Sequence, residues 1–136
     1  VVRMTAPLTD AQKAVIDGKN FAHVATHFPN GSVQVNPVWI DRDGDTVRIN
    51  SAEGRAKVKN LRSDPRITIE VNEHENPYNY VEIRGRAVSF DTEGADAHID
   101  ALANKYMGVE TYPMRQEGEV RVLITIEADK VLGGNS

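Results

Sequence analysis

The chain has 136 residues, 40% hydrophobic and 26% charged, with a formal net charge of −4 and no cysteine; ordinary globular composition at this length predicts one domain, residues 1–136, around one core. No apolar run reaches the roughly 18 residues that span a bilayer, the first ten residues lack a signal-peptide layout, and disulfides, thiolate metal sites and cysteine nucleophiles are excluded, so a cytoplasmic protein with no membrane partner is expected. The net negative charge argues against a nucleic-acid partner, and the one basic cluster, Arg55, Lys57, Lys59 and Arg62, suggests a small anionic ligand instead.

Thr9 and Gln12 have capping-box spacing, which predicts a short helix from there to about Gly18. Phe21 to Phe28 and Ser32 to Ile40 are rich in β-branched and aromatic residues and flank Asn30-Gly31, a hairpin-turn signal. A second turn at Asp43-Gly44 leads into Thr46 to Ser51, and the three consecutive strands are expected to form a meander. Arg55 to Arg62 places Val58 and Leu61 three apart among basic residues, the pattern of a short amphipathic helix that ends at Asp64-Pro65. Arg66 to Val71 alternates as a strand, and Tyr80 to Phe90 continues as a longer one with Gly85 in its interior, a sign of a bulge or a bend. A third helix, capped by Asp91 or Thr92, is expected through about Met107, with Ala95, Ile99, Leu102, Ala103 and Tyr106 on one face. Val120 to Ile126 is the last strand. Six short strands, two or three helices and tight turns predict a mainly β, antiparallel barrel whose interior is too small for a large cofactor, so the pocket is expected in a cleft between subunits.

Two stretches carry candidate chemistry. Asn50-Ser51-Ala52-Glu53-Gly54-Arg55-Ala56-Lys57 runs from a strand through a small-residue turn into the basic helix. Helix N-terminal amides and full charges on Arg55 and Lys57 suit a phosphate, although the turn lacks the P-loop motif and a solvated basic face explains the same residues. In Gln34-Val35-Asn36-Pro37, the proline removes one ladder donor from an otherwise good strand. Either this is an edge strand protected from aggregation, or its backbone and the Gln34 and Asn36 amides meet a planar heterocycle. The four histidines are dispersed and show no metal-ligand spacing, so no metal is expected; no nucleophile elbow is present.

Asn36-Pro37-Val38-Trp39, Ser51 to Lys57, Asp64-Pro65-Arg66, Asn76-Pro77-Tyr78 and Val81-Glu82-Ile83-Arg84-Gly85 together resemble the flavin/deazaflavin oxidoreductase superfamily. The likeness is to its B-group, the pyridoxamine 5'-phosphate oxidase-like F420-dependent proteins, and it extends through Ala97-His98-Ile99-Asp100 and Tyr112-Pro113-Met114-Arg115. What the resemblance implies is a six-stranded split-barrel homodimer of the FMN-binding type. Its activity would be hydride transfer from reduced deazaflavin F420 to an electron-poor double bond of a small organic substrate. By position, Arg55 and Lys57 would hold the cofactor phosphate, with Asn50, Ser51, Ala52 and Ala56 around it. Gln34, Val35, Asn36 and Pro37 would border the ring, and Tyr78, Tyr80 and Arg115 would close the cleft from the other subunit. Lys59, Arg62 and Arg3 are candidates for the acidic tail of F420. FMN is the alternative cofactor, and a non-catalytic protein that stores or senses F420 or a tetrapyrrole is the alternative role; no proton donor is singled out.

Overall fold

The computed structural model describes residues 5–134. Helix α1, Asp10–Asp17, begins with the predicted capping box: Thr9 Oγ1 accepts from the Gln12 amide, Gln12 Oε1 accepts from the Thr9 amide, and Gly18 ends the helix. Strands β1 (Ala22–His27), β2 (Val33–Val38), β3 (Asp41–Asp43) and β4 (Thr46–Ala52) follow, then helix α2 (Ala56–Ser63), β5 (Arg66–Asn72), β6 (Tyr80–Asp91), helix α3 (Ala95–Met107) and β7 (Arg121–Gly133). Seven strands, not six, form one antiparallel sheet in the order β2-β1-β5-β6-β7-β4-β3. The additional strand is the charged tripeptide Asp41-Arg42-Asp43, held by its pairing with β4.

The expected meander does not form. Among the described residues β2 pairs with β1 alone, whereas β4 pairs with β3 and β7. β2 and β3 therefore lie at opposite edges of the sheet, yet only Trp39 and Ile40 join them. The three backbone steps from Val38 to Asp41 reach about 10 Å, so the sheet must curl until its edges come close, giving a barrel open between β2 and β3. Its interior takes alternate residues from β1, β4, β5, β6 and β7: Val24, Val47, Ile49, Ile67, Ile69, Val71, Val81, Ile83, Val122, Ile124 and Ile126 are all buried in one core. Ile40, fully buried, plugs the closure.

Gly85 marks a bulge, as the sequence predicts: the β6–β7 register shifts between Arg84 and Gly85, and a Cβ at Gly85 would strike the Glu127 carbonyl. Helix α3 buries Ala95, Ile99, Leu102 and Ala103 as expected, with His98 beside them. Its N-cap is Gly94 in the left-handed region (φ 80°) rather than Asp91 or Thr92. Strand β6 runs on to Asp91, and Thr92 offers its carbonyl to the Ala95 amide, so the turn into α3 is closed by backbone instead of a side-chain cap. Among the described residues no helix is long and apolar enough to cross a membrane.

Candidate functional site

The barrel interior is filled, and the cleft that gathers most of the predicted phosphate-site residues lies outside it. About 300 Å³ in volume, it is bounded by β2, the end of β4, the start of α2, Ile99 and Leu102 on the buried face of α3, the loop after α3 and the first residue of β7. Six of the sequence-predicted site residues line it: Asn36, Pro37, Asn50, Ser51, Arg55 and Lys57.

The chain enters α2 through Gly54, at a φ of 89° that favours glycine, and the Arg55 amide closes a turn on the Ala52 carbonyl. Arg55 is the N-cap, and no side chain caps the helix. The Ala56, Lys57 and Val58 amides thus lack intrahelical acceptors, and the positive end of the helix dipole faces the same place. Lys57 is only 7% exposed and has no hydrogen-bond or ion-pair partner among the described residues. Burial, with the like charges of Arg55 and Arg121, pushes its ammonium down to about 8. A buried ammonium without a counter-charge is costly, and an anionic ligand is the group that would relieve it.

Two further atoms converge on this demand. Ser51 Oγ and Asn36 Oδ1 are buried without a hydrogen-bond partner, although such groups are nearly always satisfied in folded proteins. One can donate or accept and the other accepts, so together with Lys57 they fit a ligand that bears a phosphate and a polar ring edge.

Arg121 completes the polar wall, and sequence reasoning missed it. It is buried at the start of β7, where the register Ala52↔Arg121 sets it against the residue that leaves β4. Its Nε donates to Asn50 Oδ1 (2.9 Å) and its Nη1 to Glu119 Oε1 (3.0 Å). Arg55 lies 4.0 Å from the same Glu119 carboxylate. Arg121 and Arg55 thus share one carboxylate while Lys57 has none, and the site keeps an excess of positive charge.

The apolar wall is aromatic. Trp39 stacks on Tyr106 at 5.3 Å, Tyr106 on Phe21 at 5.9 Å, and Tyr112 meets Trp39 edge-on at 6.0 Å. The Tyr106 hydroxyl donates to the Asn20 carbonyl (2.7 Å) and accepts from the Ile40 amide (3.2 Å), which pins the stack to the barrel closure; burial raises this phenol to about 12.

The other predicted residues lie elsewhere. Gln34 and Val35 are on β2 away from the cleft lining, with Gln34 Oε1 buried and unpartnered and Val35 exposed. Ala52 is buried beneath the turn, and Ala56 is the half-buried first residue of α2. Tyr78 is 90% exposed and Tyr80 is also exposed, both outside the cleft lining. Arg115 binds Asp96 (2.6 Å) and Asp100 (2.7 Å) on α3, which neutralise it. Arg62 is tied to Glu53 at 2.5 Å and lies over the Phe90 ring, Lys59 is exposed on α2 outside the cleft lining, and Arg3 lies outside the described residues.

Residues 8–133 match the family model described as pyridoxamine 5'-phosphate oxidase. Among solved structures, the chain is similar to an F420 reductase, with 26% identity and a TM-score of 0.82 over 92% of this chain and 98% of that one. A conserved hypothetical protein from Mycobacterium tuberculosis shares the fold at 17% identity and a TM-score of 0.74, over 98% of this chain and 91% of that one. So does a Listeria innocua protein that carries the pyridoxamine 5'-phosphate oxidase name, at 18% identity and a TM-score of 0.69, over 90% of this chain and 94% of that one.

Proposed function

We propose that this chain, which belongs to the pyridoxamine 5'-phosphate oxidase family, is an F420-dependent reductase that acts on a small organic substrate. The observation that carries the reading is the convergence of a buried, unpaired Lys57, an uncapped helix start and two orphaned polar atoms on one cleft. Lys57, Arg55 and the first amides of α2 would hold the cofactor phosphate, and Ser51 Oγ would bond to it or to the adjoining chain. Asn36 Oδ1, an acceptor, suits an N–H on the edge of the ring. When bound, the group supplies hydride chemistry: in its reduced form it can pass a hydride to an electron-poor double bond. The protein's share is orientation and exclusion of water, provided by the Trp39–Tyr106 stack and by Tyr112.

The choice of F420 over FMN rests on the likeness to an F420 reductase and not on surplus charge beside α2, because Arg62 is already paired with Glu53. That pairing favours FMN as the second reading, since FMN has no acidic tail to accommodate. Titration of the apo-protein with both cofactors decides between them: tighter binding of FMN overturns the F420 assignment. Oxidation of reduced F420 by a panel of enones, quinones and biliverdin tests catalysis; binding without turnover favours a storage role.

The active form in this proposal is a homodimer. A cleft of about 300 Å³ is at the small end for an organic cofactor, while Val33 and Val35 on edge strand β2, with Tyr78 and Tyr80, expose apolar surface that a second copy would cover. The partner's loops would then close the ring site. A monomer by sedimentation at micromolar concentration overturns this part.

A further inference from the structure

Behind the cleft, a row of side chains runs from Arg121 to the edge strand β3, and the reading of the cleft does not use it. Asn50 Nδ2 donates to the Ala95 carbonyl (2.9 Å) and meets His98 Nδ1 (3.0 Å); His98 Nε2 meets Asp41 Oδ1 (2.9 Å). Arg48 closes the row with Nε on Asp41 Oδ1 (3.0 Å) and Nη2 on Oδ2 (2.9 Å). Donor counting makes the row directional. The Ala95 carbonyl can only accept, so the Asn50 nitrogen must face it and the Asn50 oxygen must face Arg121 Nε, which can only donate. The second Asn50 N–H then points at His98 Nδ1, which must accept. His98 therefore carries its proton on Nε2 and gives it to the Asp41 carboxylate. Burial of that carboxylate opposes its charge, but the bonds from His98 and Arg48 outweigh burial and hold it below its ordinary value.

An amide in the middle of the row accepts and donates without passing a proton, so the row cannot conduct protons. It can orient. With Nε fixed by Asn50, Nη1 by Glu119 and the guanidinium set 5.3 Å from the Tyr112 ring, Arg121 is left with Nη2 as its uncommitted corner among the described residues. Resting on the reading of the cleft as a cofactor site, we propose that Arg121 is a third ligand-contacting cation beside Arg55 and Lys57, which takes an anionic or carbonyl oxygen through Nη2. Asp41, His98 and Asn50 are positioning residues that hold Arg121 in this orientation. Asn50 thus serves the site from behind rather than as a direct contact.

The test combines NMR of the 136-residue chain with a binding cycle. At neutral pH the ¹⁵N shifts of His98 report a proton on Nε2 and none on Nδ1, and the Arg121 Nε–H gives a slowly exchanging signal. His98→Leu removes the acceptor, shifts and broadens that signal, and weakens F420 binding roughly 5- to 20-fold. His98→Asn returns an acceptor to the Nδ1 position and restores both. In an Arg121→Ala background, His98→Leu changes the Kd for F420 less than about twofold, because a residue that acts through Arg121 has nothing left to position. A proton on Nδ1, an unmoved Arg121 signal or additive effects on Kd overturn the positioning role. If the wild type binds neither F420 nor FMN, the cofactor reading fails and the ligand contact with it, while the His98 and Arg121 signals still decide the orienting row.

Discussion

Lys57→Met separates the cost of the site from its use. The charged form of Lys57 is disfavoured because burial and two neighbouring cations lower its value from 10.5 to about 8, which corresponds to about 3 kcal/mol against the folded state while the lysine is charged. The unfolded chain binds the extra proton between pH 8 and pH 10.5, so wild-type stability rises with pH across that window; below pH 8 the penalty is fully present. Methionine fills similar space without charge, and the variant is therefore more stable than wild type by up to about 3 kcal/mol at pH 7, or roughly 10 °C in Tm for a domain of this size. The gain shrinks as the pH rises from 8 toward 10.5. Cofactor binding moves the other way, weakening by about 1 to 3 kcal/mol through loss of a charge-assisted bond to phosphate. Urea unfolding at several pH values, paired with cofactor titration, reads both. A variant less stable than wild type at pH 7, or a stability difference that stays flat from pH 7 to pH 10.5, would refute the claim that Lys57 is an uncompensated buried cation.

Ser51→Ala removes a hydroxyl that lacks a partner among the described residues, so stability without cofactor is unchanged or rises by up to about 1 kcal/mol, while cofactor affinity falls; calorimetric titration together with thermal unfolding checks the pair. Tyr106→Phe strands the Ile40 amide and the Asn20 carbonyl, which costs about 1 to 3 kcal/mol in denaturant unfolding. The stack against Trp39, the one tryptophan, loosens with it and shifts its fluorescence. Lys105→Met leaves the Ile16 and Ile40 carbonyls without the ammonium that bonds each at 2.7 Å, and destabilises by roughly 1.5 to 3 kcal/mol, opposite in sign to Lys57→Met.

Local features of the fold were legible in the sequence wherever local chemistry decides them. The Thr9–Gln12 capping box, the Asn30-Gly31 and Asp43-Gly44 turns, the Gly85 bulge and the apolar face of α3 each follow from a few neighbouring residues. Pairing was less legible. Nothing near β2 announces that the chain turns away at Trp39-Ile40 and starts the opposite edge of the sheet, because β4 finds its partner in β7, far along the chain. The strand Asp41-Arg42-Asp43 has low β-propensity and exists through tertiary pairing. At the cleft, the resemblance placed Arg55, Lys57, Ser51 and Asn36 together, and they do share one pocket. Arg121 escaped notice because its role depends on the β4–β7 register; the available signals were an arginine opening an otherwise apolar strand and an asparagine, Asn50, inside another.

The contrast between Lys57 and Lys105 gives a reason to locate the ligand at the N-terminal end of α2. Lys105 is half-buried, and burial lowers it too, but its ammonium bonds two carbonyls, feels the opposing charges of Asp41 and Asp17, and lies over the Tyr106 ring. Its charge is answered from within the fold, and it serves to tie α3 to the barrel closure. Lys57 has the reverse surroundings: cations on two sides and no acceptor within bonding distance among the described residues. An internally consistent sequence satisfies its buried polar groups, and departures are expected where function requires them. Lys57, Ser51 Oγ and Asn36 Oδ1 are three such departures lining one cleft, and a ligand with an anionic group at one end and a hydrogen-bonding ring at the other resolves all three. A purely structural basic helix would account for Lys59, exposed on α2, but not for a charge that the fold buries and leaves unpaired.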